Sequence, residues 1–201
     1  MMKSRILPVL LFLALAIYAQ EAAESAIIRE LTGTVELQHQ GSTVWEKAVQ
    51  GQAIMPDTVI STGFKSYAII SAGDSLISVR PLTRLSFREI ARSDTETINV
   101  SLQAGRVRVD VKQPAGTRSL FGVQTPVATA STRGTIFEMS TFELRVIEGT
   151  IEYQSGSAAP ILVDAVGYSY INEKTGQPVL PLTELGSAIN PNLPIGNDSL
   201  F

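Results

Sequence analysis

Cysteine is absent from the sequence, and histidine occurs once, as His39. Without cysteine the protein cannot form disulfides, a thiolate metal site, a thiol nucleophile or a lipid attachment at cysteine. A single histidine excludes metal sites built from histidine clusters, and it leaves a Ser-His-Asp triad with one candidate base. An exported protein without cysteine also needs no oxidising compartment in order to fold.

The chain also has little net charge, a formal value of −3 over 201 residues. Removal of the first 19 residues would take away Lys3 and Arg5 and leave −5. Nucleic-acid-binding proteins usually carry a basic balance or a basic face, so the composition argues against a nucleic-acid partner. The apolar fraction of 44% and the length are sufficient for one globular domain with a real core.

The one long hydrophobic run lies at the N-terminus. Two basic residues precede an apolar stretch over residues 6–17, and small and then polar residues follow it. This order is typical of a secretory signal peptide, and the stretch is shorter than the roughly 20 apolar residues that a membrane span needs. We predict a signal peptide over 1–19, cleaved after Ala19 or, as second choice, after Ala16; the alternative is an uncleaved anchor. Either outcome makes the protein periplasmic or secreted, with no later membrane span.

From Ile27 to Ile171 apolar and polar side chains alternate along the chain. Successive side chains of a strand point to opposite faces, so this alternation indicates half-buried strands. The clearest example is 106–112, where three valines share one face and four charged residues share the other. In a helix the same valines would lie on different sides. The segment therefore predicts a strand with one buried face.

Many short strands are predicted in the same way, with turn residues between them and no amphipathic helix. They lie at 34–38, 66–70, 75–79, 84–88, 119–124, 134–140, 142–148, 150–154, 161–164 and 167–171. This pattern predicts an all-β domain over 27–172, a jelly-roll-like sandwich or roll of two sheets. A short β-helix is the alternative, although the sequence contains no repeat of fixed length.

Residues 173–201 differ from the alternating part of the chain. Turn-forming residues fill 190–198, and 183–189 would suit one helical turn at most. We predict a poorly structured, flexible C-terminal tail. The alternative is a docking peptide for a partner or an envelope layer.

An ordered series of residues between Leu31 and Tyr153 resembles the FecR-type extracytoplasmic domain. The most diagnostic part is Thr125-Pro126 followed by Arg133-Gly134-Thr135 and, two residues later, Phe137. The residues that match the family pattern are Gly33, Trp45, Gly51, Asp57, Thr62, Gly63, Gly105, Thr125, Pro126, Arg133, Gly134, Thr135, Phe137, Glu148 and Gly149. The residues themselves also have a structural interpretation. Pro126 favours an extended backbone at Thr125, and Gly134 allows a turn before Phe137 enters the core. Structural roles are therefore expected for this set.

The resemblance implies an all-β periplasmic sensor or binding domain without known enzymatic activity. The founding members of the family are anti-sigma regulators, with a cytoplasmic segment and one membrane span before this domain. Here only the predicted signal peptide precedes the domain. We therefore expect a stand-alone module without the anti-sigma and membrane-span segments.

The sequence does not indicate an active site. His39 ends an alternating strand, which favours a solvent-edge histidine, and no Gly-x-Ser-x-Gly elbow occurs. Several acidic residues could pair as in a glycosidase, but nothing in their spacing selects two of them. No acidic loop has the ligand spacing of a calcium site, and no phosphate-binding glycine loop occurs. We therefore predict no catalytic residues, no metal and no cofactor.

Basic residues are concentrated in the middle of the chain, between Arg80 and Arg118. Arg84, Arg88, Arg106 and Arg108 all fall on predicted outward faces. Together they would attract an anionic partner such as phospholipid headgroups, a surface glycan or an acidic protein. The alternative is that they solubilise the strands and block edge-to-edge association.

These observations predict an exported, non-catalytic binding or sensing module that recognises a protein or an envelope component. The alternative is a structural or assembly subunit of an envelope or surface complex. An enzyme is the third hypothesis, and it would need a cleft with convergent carboxylates.

Overall fold

The computed structural model describes residues 26–92, 95–113, 118–179 and 182–183. All regular structure in these residues is β, as eighteen strands. These residues contain no helical segment that could span a bilayer. The predicted signal peptide over 1–19 lies outside the described residues. The predicted all-β class is confirmed.

The strands are short, and most have between four and seven residues. They are β1 (Ala26–Thr32), β2 (Val35–Gln38), β3 (Glu46–Lys47), β4 (Ala53–Ile54), β5 (Val59–Thr62), β6 (Tyr67–Ala72), β7 (Ser75–Val79), β8 (Arg84–Arg92), β9 (Thr95–Ala104), β10 (Arg106–Asp110), β11 (Arg118–Gln124), β12 (Thr129–Thr132), β13 (Ile136–Ser140), β14 (Glu143–Glu148), β15 (Thr150–Gln154), β16 (Ile161–Asp164), β17 (Gly167–Tyr170) and β18 (Leu182–Thr183).

The strands form two sheets of nine strands each. Sheet I has the order β18-β17-β14-β13-β10-β7-β6-β1-β4, and sheet II has the order β16-β15-β12-β11-β9-β8-β5-β2-β3. Among the described strands β9 and β11 pair in parallel, and every other pairing is antiparallel. A β-helix would stack parallel coils. The structure therefore has the two-sheet arrangement, and the β-helix alternative is wrong.

The chain advances along the molecule by alternating between the sheets. Hairpin β6–β7 lies in sheet I, β8–β9 in sheet II, β10 in sheet I, β11–β12 in sheet II, β13–β14 in sheet I and β15–β16 in sheet II. One hydrophobic core fills the space between the sheets, and its largest side chains are Tyr153, Phe87, Phe121 and Phe137. In β10, Val107 and Val109 are fully buried, which confirms the strand predicted there.

The same corner structure occurs at three places where the chain crosses from one sheet to the other. Each corner places a glycine of positive φ against a buried hydroxyl from a neighbouring crossing, and a Cβ on the glycine would overlap that hydroxyl. The pairs are Gly33 with Ser66, Gly105 with Thr83, and Gly149 with Thr135. All three hydroxyl residues are 1% exposed.

The hydroxyl of each corner bonds the residue that follows the glycine. Ser66 Oγ accepts the Thr34 N–H at 2.8 Å, and Thr83 Oγ1 accepts the Arg106 N–H at 3.0 Å. The Thr135 hydroxyl lies 3.3 Å from the carbonyl oxygen of Thr150. The corners thereby satisfy peptide groups that leave the strand ladder.

The residue before each corner hydroxyl also has positive φ, namely Lys65, Leu82 and Gly134 at 52°, 56° and 72°. Only Gly134 adopts this conformation without a Cβ penalty. The corner therefore imposes its backbone geometry even where the sequence offers lysine or leucine.

Part of the predicted tail belongs to sheet I. Residues 172–177 form a turn, Pro178 bridges Ile171, and β18 pairs antiparallel with β17. The described fold thus continues past residue 172 to Thr183, and 184–201 lie outside the described residues.

Candidate functional site

A groove with a cavity volume of about 610 Å³ lies at the end of the sandwich where four turns meet. The turns are those between β11 and β12, β13 and β14, β15 and β16, and β17 and β18. We call it the loop-end groove; its lining residues are Gln124, Thr125, Pro126, Val127, Ala128, Thr129, Phe142, Ser155, Gly156, Ile171, Asn172, Glu173 and Gly176.

Thr125 organises the first wall of the loop-end groove. Its backbone N–H donates to the Ala128 carbonyl at 2.8 Å, and its Oγ1 accepts the Ala128 N–H at 3.0 Å. The same hydroxyl lies 3.1 Å from the carbonyl oxygen of Thr141. Because Thr141 belongs to the next turn, this hydroxyl connects two of the four turns.

Ser155 connects the other turns to the first wall. Its Oγ lies 2.8 Å from the Val127 carbonyl oxygen and 2.6 Å from the Gly176 carbonyl oxygen. In addition, the Ile171 N–H donates to the Phe142 carbonyl at 2.9 Å. The groove is therefore held by hydrogen bonds from buried groups, so its shape exists before a ligand arrives.

Apolar groups lie around the mouth of the groove. Phe142 is 45% exposed. It therefore does not receive the full stabilisation of about 1.5–3 kcal/mol that complete burial of a phenylalanine side chain provides. Pro126 contributes its ring and has no N–H to donate, and Val127 packs against the core. The lining thus offers an apolar contact surface beside backbone polar groups.

Tyr168 and Tyr170 continue the aromatic surface on the outer face of sheet I. Their ring centroids are 6.0 Å apart. Tyr168 Oη donates to Glu143 Oε1 at 3.1 Å, and Arg106 donates to the other oxygen of that carboxylate at 2.9 Å. Burial, followed by the hydrogen bond to Glu143, raises the pKa of Tyr168 above its usual value. Tyr168 therefore stays neutral over the physiological range.

The charges at the groove do not suit acid–base or metal chemistry. Glu173 is the one ionisable side chain among the lining residues. Within the described ranges no group of three or more His, Asp or Glu could hold a metal ion. The arrangement can bind a ligand through apolar and hydrogen-bonding contacts.

His39 lies on the outer edge of the molecule. Its Nε2 is 3.7 Å from Glu46 Oε2, and 41% of its side chain is exposed. Asp57 nearby accepts Gln40 Nε2 at 3.1 Å and Arg88 at 3.5 Å. Glu46 supplies a carboxylate beside His39, but the exposed nucleophile that a triad also requires is not among these contacts.

The four arginines proposed for an anionic face do not share one. Arg84 and Arg88 lie on β8 in sheet II, whereas Arg106 and Arg108 lie on β10 in sheet I. The physical reason is the corner at Gly105, where the chain crosses between the sheets. Each arginine also has a partner of its own: Arg84 covers the Trp45 ring at 5.2 Å, and the others pair with Asp57, Glu143 and Glu138.

The residues of the family pattern occupy structural and groove positions. Gly33, Gly105, Gly134, Gly149 and Thr135 form the corners. Thr62 Oγ1 accepts the Thr83 N–H at 3.0 Å, Gly63 N–H donates to Thr34 at 2.9 Å, and Gly51 N–H donates to Ile28 at 2.8 Å. Phe137 packs edge-on against Phe121 with centroids 6.3 Å apart. Arg133 and Glu148 are exposed, and only Thr125 and Pro126 line the groove.

Residues 58–152 match the model of the FecR protein family. The resemblance to FecR-type domains is thereby confirmed. The match contains the corners at Gly105 and Gly149 and the groove residues Thr125 and Pro126.

Solved structures support the same fold. Two crystal structures of a candidate anti-sigma factor from Parabacteroides distasonis ATCC 8503 align with TM-scores of 0.51 and 0.53, at 16% and 17% identity. Each alignment covers 63% of this chain and 59% of the other, so this chain spans less than two thirds of those proteins. A search of curated proteins found no significant match.

Sequence reasoning missed most of the groove. Phe142, Ser155 and the turn after Ile171 come from three separate turns, and no spacing in the sequence shows that these turns meet. A large apolar residue in the Thr141-Phe142 turn was the one available signal, because turns usually carry polar residues.

Proposed function

We propose that this FecR-type protein is an exported, non-catalytic sensing module that recognises a protein partner through the loop-end groove. The half-exposed Phe142 at the mouth of a preformed groove is the observation that carries the proposal. Aromatic anchors in well-packed sites dominate the energy of protein recognition. The signal-peptide pattern and the family match support the exported location and the regulatory role.

The lining, in which Glu173 is the one ionisable side chain, favours a partner that inserts an apolar side chain and bonds backbone groups of the turns. A preformed groove lowers the entropic cost of binding, because its side chains are already ordered. The proposed ligand is therefore a loop or chain terminus of an envelope protein.

The experiment is photo-crosslinking in cells with a crosslinking amino acid placed at Phe142. Phe64 is the matched control, because it is also an exposed phenylalanine in a turn, at 74% exposure. We expect one dominant adduct of defined stoichiometry from position 142 and none from position 64. Equal adducts from both positions, or co-sedimentation with a large assembly, would replace the proposal by the structural-subunit hypothesis.

A further inference from the structure

A row of uncharged polar side chains crosses the outer face of sheet II. The cross-strand register aligns one residue from each of seven neighbouring strands. We call this the polar row; its members are Gln38, Val59, Ser86, Ser101, Gln124, Thr129 and Gln154. Six of the seven carry an amide or a hydroxyl, and none is charged.

The polar groups of this row are largely unused within the protein. Gln154 Nε2 donates to the Ala158 carbonyl at 2.9 Å. In the part of the chain that the structure describes, the side chains of the other members make no hydrogen bond. Amides offer two donors and an acceptor, and hydroxyls offer one donor and two acceptors. The row therefore presents a line of amide and hydroxyl groups that, apart from that of Gln154, have no hydrogen-bond partner among the described residues.

Away from the row, polar side chains on the outer faces of both sheets satisfy one another, as Asn99 does by donating to Glu89 at 2.6 Å on sheet II. Arg29 donates to Ser71 at 2.8 Å and Arg106 to Glu143 at 2.9 Å, while Glu138 receives Arg108 at 3.5 Å. Strand solubility alone would be met by such a charged face. Solubility consequently does not account for the uncharged row on sheet II.

The row begins in a concave site. A pocket of about 340 Å³ is lined by Gln38, Val59, Ser86 and Gln103, by residues of the His39 turn, and by the ion pair of Asp57 and Arg88 at its side. Arg84, two residues before Ser86 on β8, covers the Trp45 ring. The small side chain of Ser86, which is 3% exposed, makes the depression between the glutamines.

We infer that the polar row binds an uncharged, extended glycan. The absence of charge along the seven described residues suits a neutral polyhydroxyl ligand, whereas an anionic polymer would call for basic residues in the row. Strands lie about 4.8 Å apart, so the row is roughly 29 Å long. This spacing is close to the repeat of an extended pyranose chain, so that successive sugars would meet successive strands. The row shares Gln124 and Thr129 with the loop-end groove, whereas Gln38 and Ser101, which the test addresses, lie outside it.

The test is a titration of the purified, isotope-labelled protein with cellohexaose and chitohexaose, followed by amide NMR shifts. We expect shifts at the side-chain amide of Gln38 and at the backbone of Ser101, with Kd on the order of 1 mM or below. Gln38→Ala should weaken binding about threefold to tenfold, the usual effect of one lost hydrogen bond. Ser101→Ile, which fills the face without entering the core, should weaken it more than tenfold.

Two matched variants control for general surface effects. Gln50→Ala removes an exposed glutamine away from the row, and Ser78→Ile makes the same change as Ser101→Ile on the outer face of sheet I. Neither should alter binding. Both row variants lie outside the loop-end groove, so crosslinking from position 142 should persist in them.

Three outcomes would overturn the inference. One is the lack of shifts along the row with either hexasaccharide at about tenfold above the expected Kd. Another is tighter binding of hexagalacturonate, an anionic chain of similar repeat. The third is self-association in sedimentation equilibrium that Ser101→Ile abolishes, which would make a second copy of the chain the occupant of this face.

Discussion

At the residue scale, two glycines with similar positive φ differ in how closely other atoms approach them. Gly105 and Gly51 have φ values of 88° and 81°. A Cβ at Gly105 would lie 2.5 Å from Thr83 Cα and 2.7 Å from the Leu82 carbonyl oxygen. A Cβ at Gly51 would meet nothing within 4 Å. Positive φ is therefore a backbone requirement at both sites, and close approach adds to it at one.

Gly105→Ala should lower the free energy of unfolding by more than about 3 kcal/mol, because backbone strain and overlap add. Gly51→Ala should cost only about 1 kcal/mol, the penalty of the left-handed conformation. Urea denaturation of both variants measures the difference. Equal costs would show that the corner does not constrain Gly105.

Gly134→Val should also destabilise the protein. Its φ is 72°, and an added Cβ would approach the Gln113 side chain at 3.2 Å. A β-branched residue at positive φ costs about 1–3 kcal/mol. An unchanged melting temperature would contradict a constrained backbone at this position.

Tyr153 gives the stability a dependence on alkaline pH. Its side chain is fully buried, and burial, more than the neighbouring Tyr168 and Glu143, raises its pKa above the usual 10. Between the unfolded and folded pKa the unfolded state binds fewer protons, so stability is complete below about pH 10 and falls above it.

The fall should reach about 1.4 kcal/mol for each pH unit above about 10. Tyr153→Phe removes the titrating group and only a 3.4 Å contact with the Phe142 carbonyl. Urea titrations at several alkaline pH values should therefore show a shallower decline for the variant. Parallel curves would assign the decline to other groups.

At the element scale, alternation predicted the strands whose outward residues are charged. In β10 the buried valines and the outward arginines follow the predicted pattern, and the strand bounds match within two residues. The longest strand, β9, was not predicted. Its outward residues are Thr95, Thr97, Asn99, Ser101 and Gln103, which are residues that turns also favour. The polar row was missed for the same reason.

The sequence predicted the glycine of each corner but not the hydroxyl residue at two of the three corners. Gly33, Gly105 and Gly149 stood in the family pattern, whereas Ser66 and Thr83 gave no signal of their own. A serine or threonine directly before an alternating strand is common. The glycine that contacts it lies in a different segment of the chain, where another crossing between the sheets occurs. Only the pairing of the sheets brings the two together, so local sequence could not identify the corner.

The two faces of β10 supply a test of the element. Val109→Asp buries an unpaired carboxylate in the core and should abolish folding. Arg108→Glu changes a half-exposed residue that pairs with Glu138 at 3.5 Å, and it should cost less than about 1 kcal/mol. Circular dichroism and melting of both variants measure this contrast. Similar effects on both faces would contradict the strand.

At the scale of the whole molecule, a single hydrophobic core joins most of the described strands. A domain with one core is expected to unfold in one cooperative transition. Trp45 lies near β3 at one end of the sheets, so its fluorescence and the far-UV signal of all strands should share one midpoint in urea. Two separate midpoints would mean that the ends of the sandwich unfold independently.

The order of strands in both sheets also follows the order of the chain. At one end of the molecule β1 and β4 exchange places in sheet I, and β2 and β3 exchange places in sheet II. From there the strand numbers rise steadily across each sheet, to β18 in sheet I and to β16 in sheet II. Every hairpin thus finds its partner already in place when the chain emerges with its N-terminus first. The protein can assemble vectorially, and no early segment has to wait exposed for the last one to arrive.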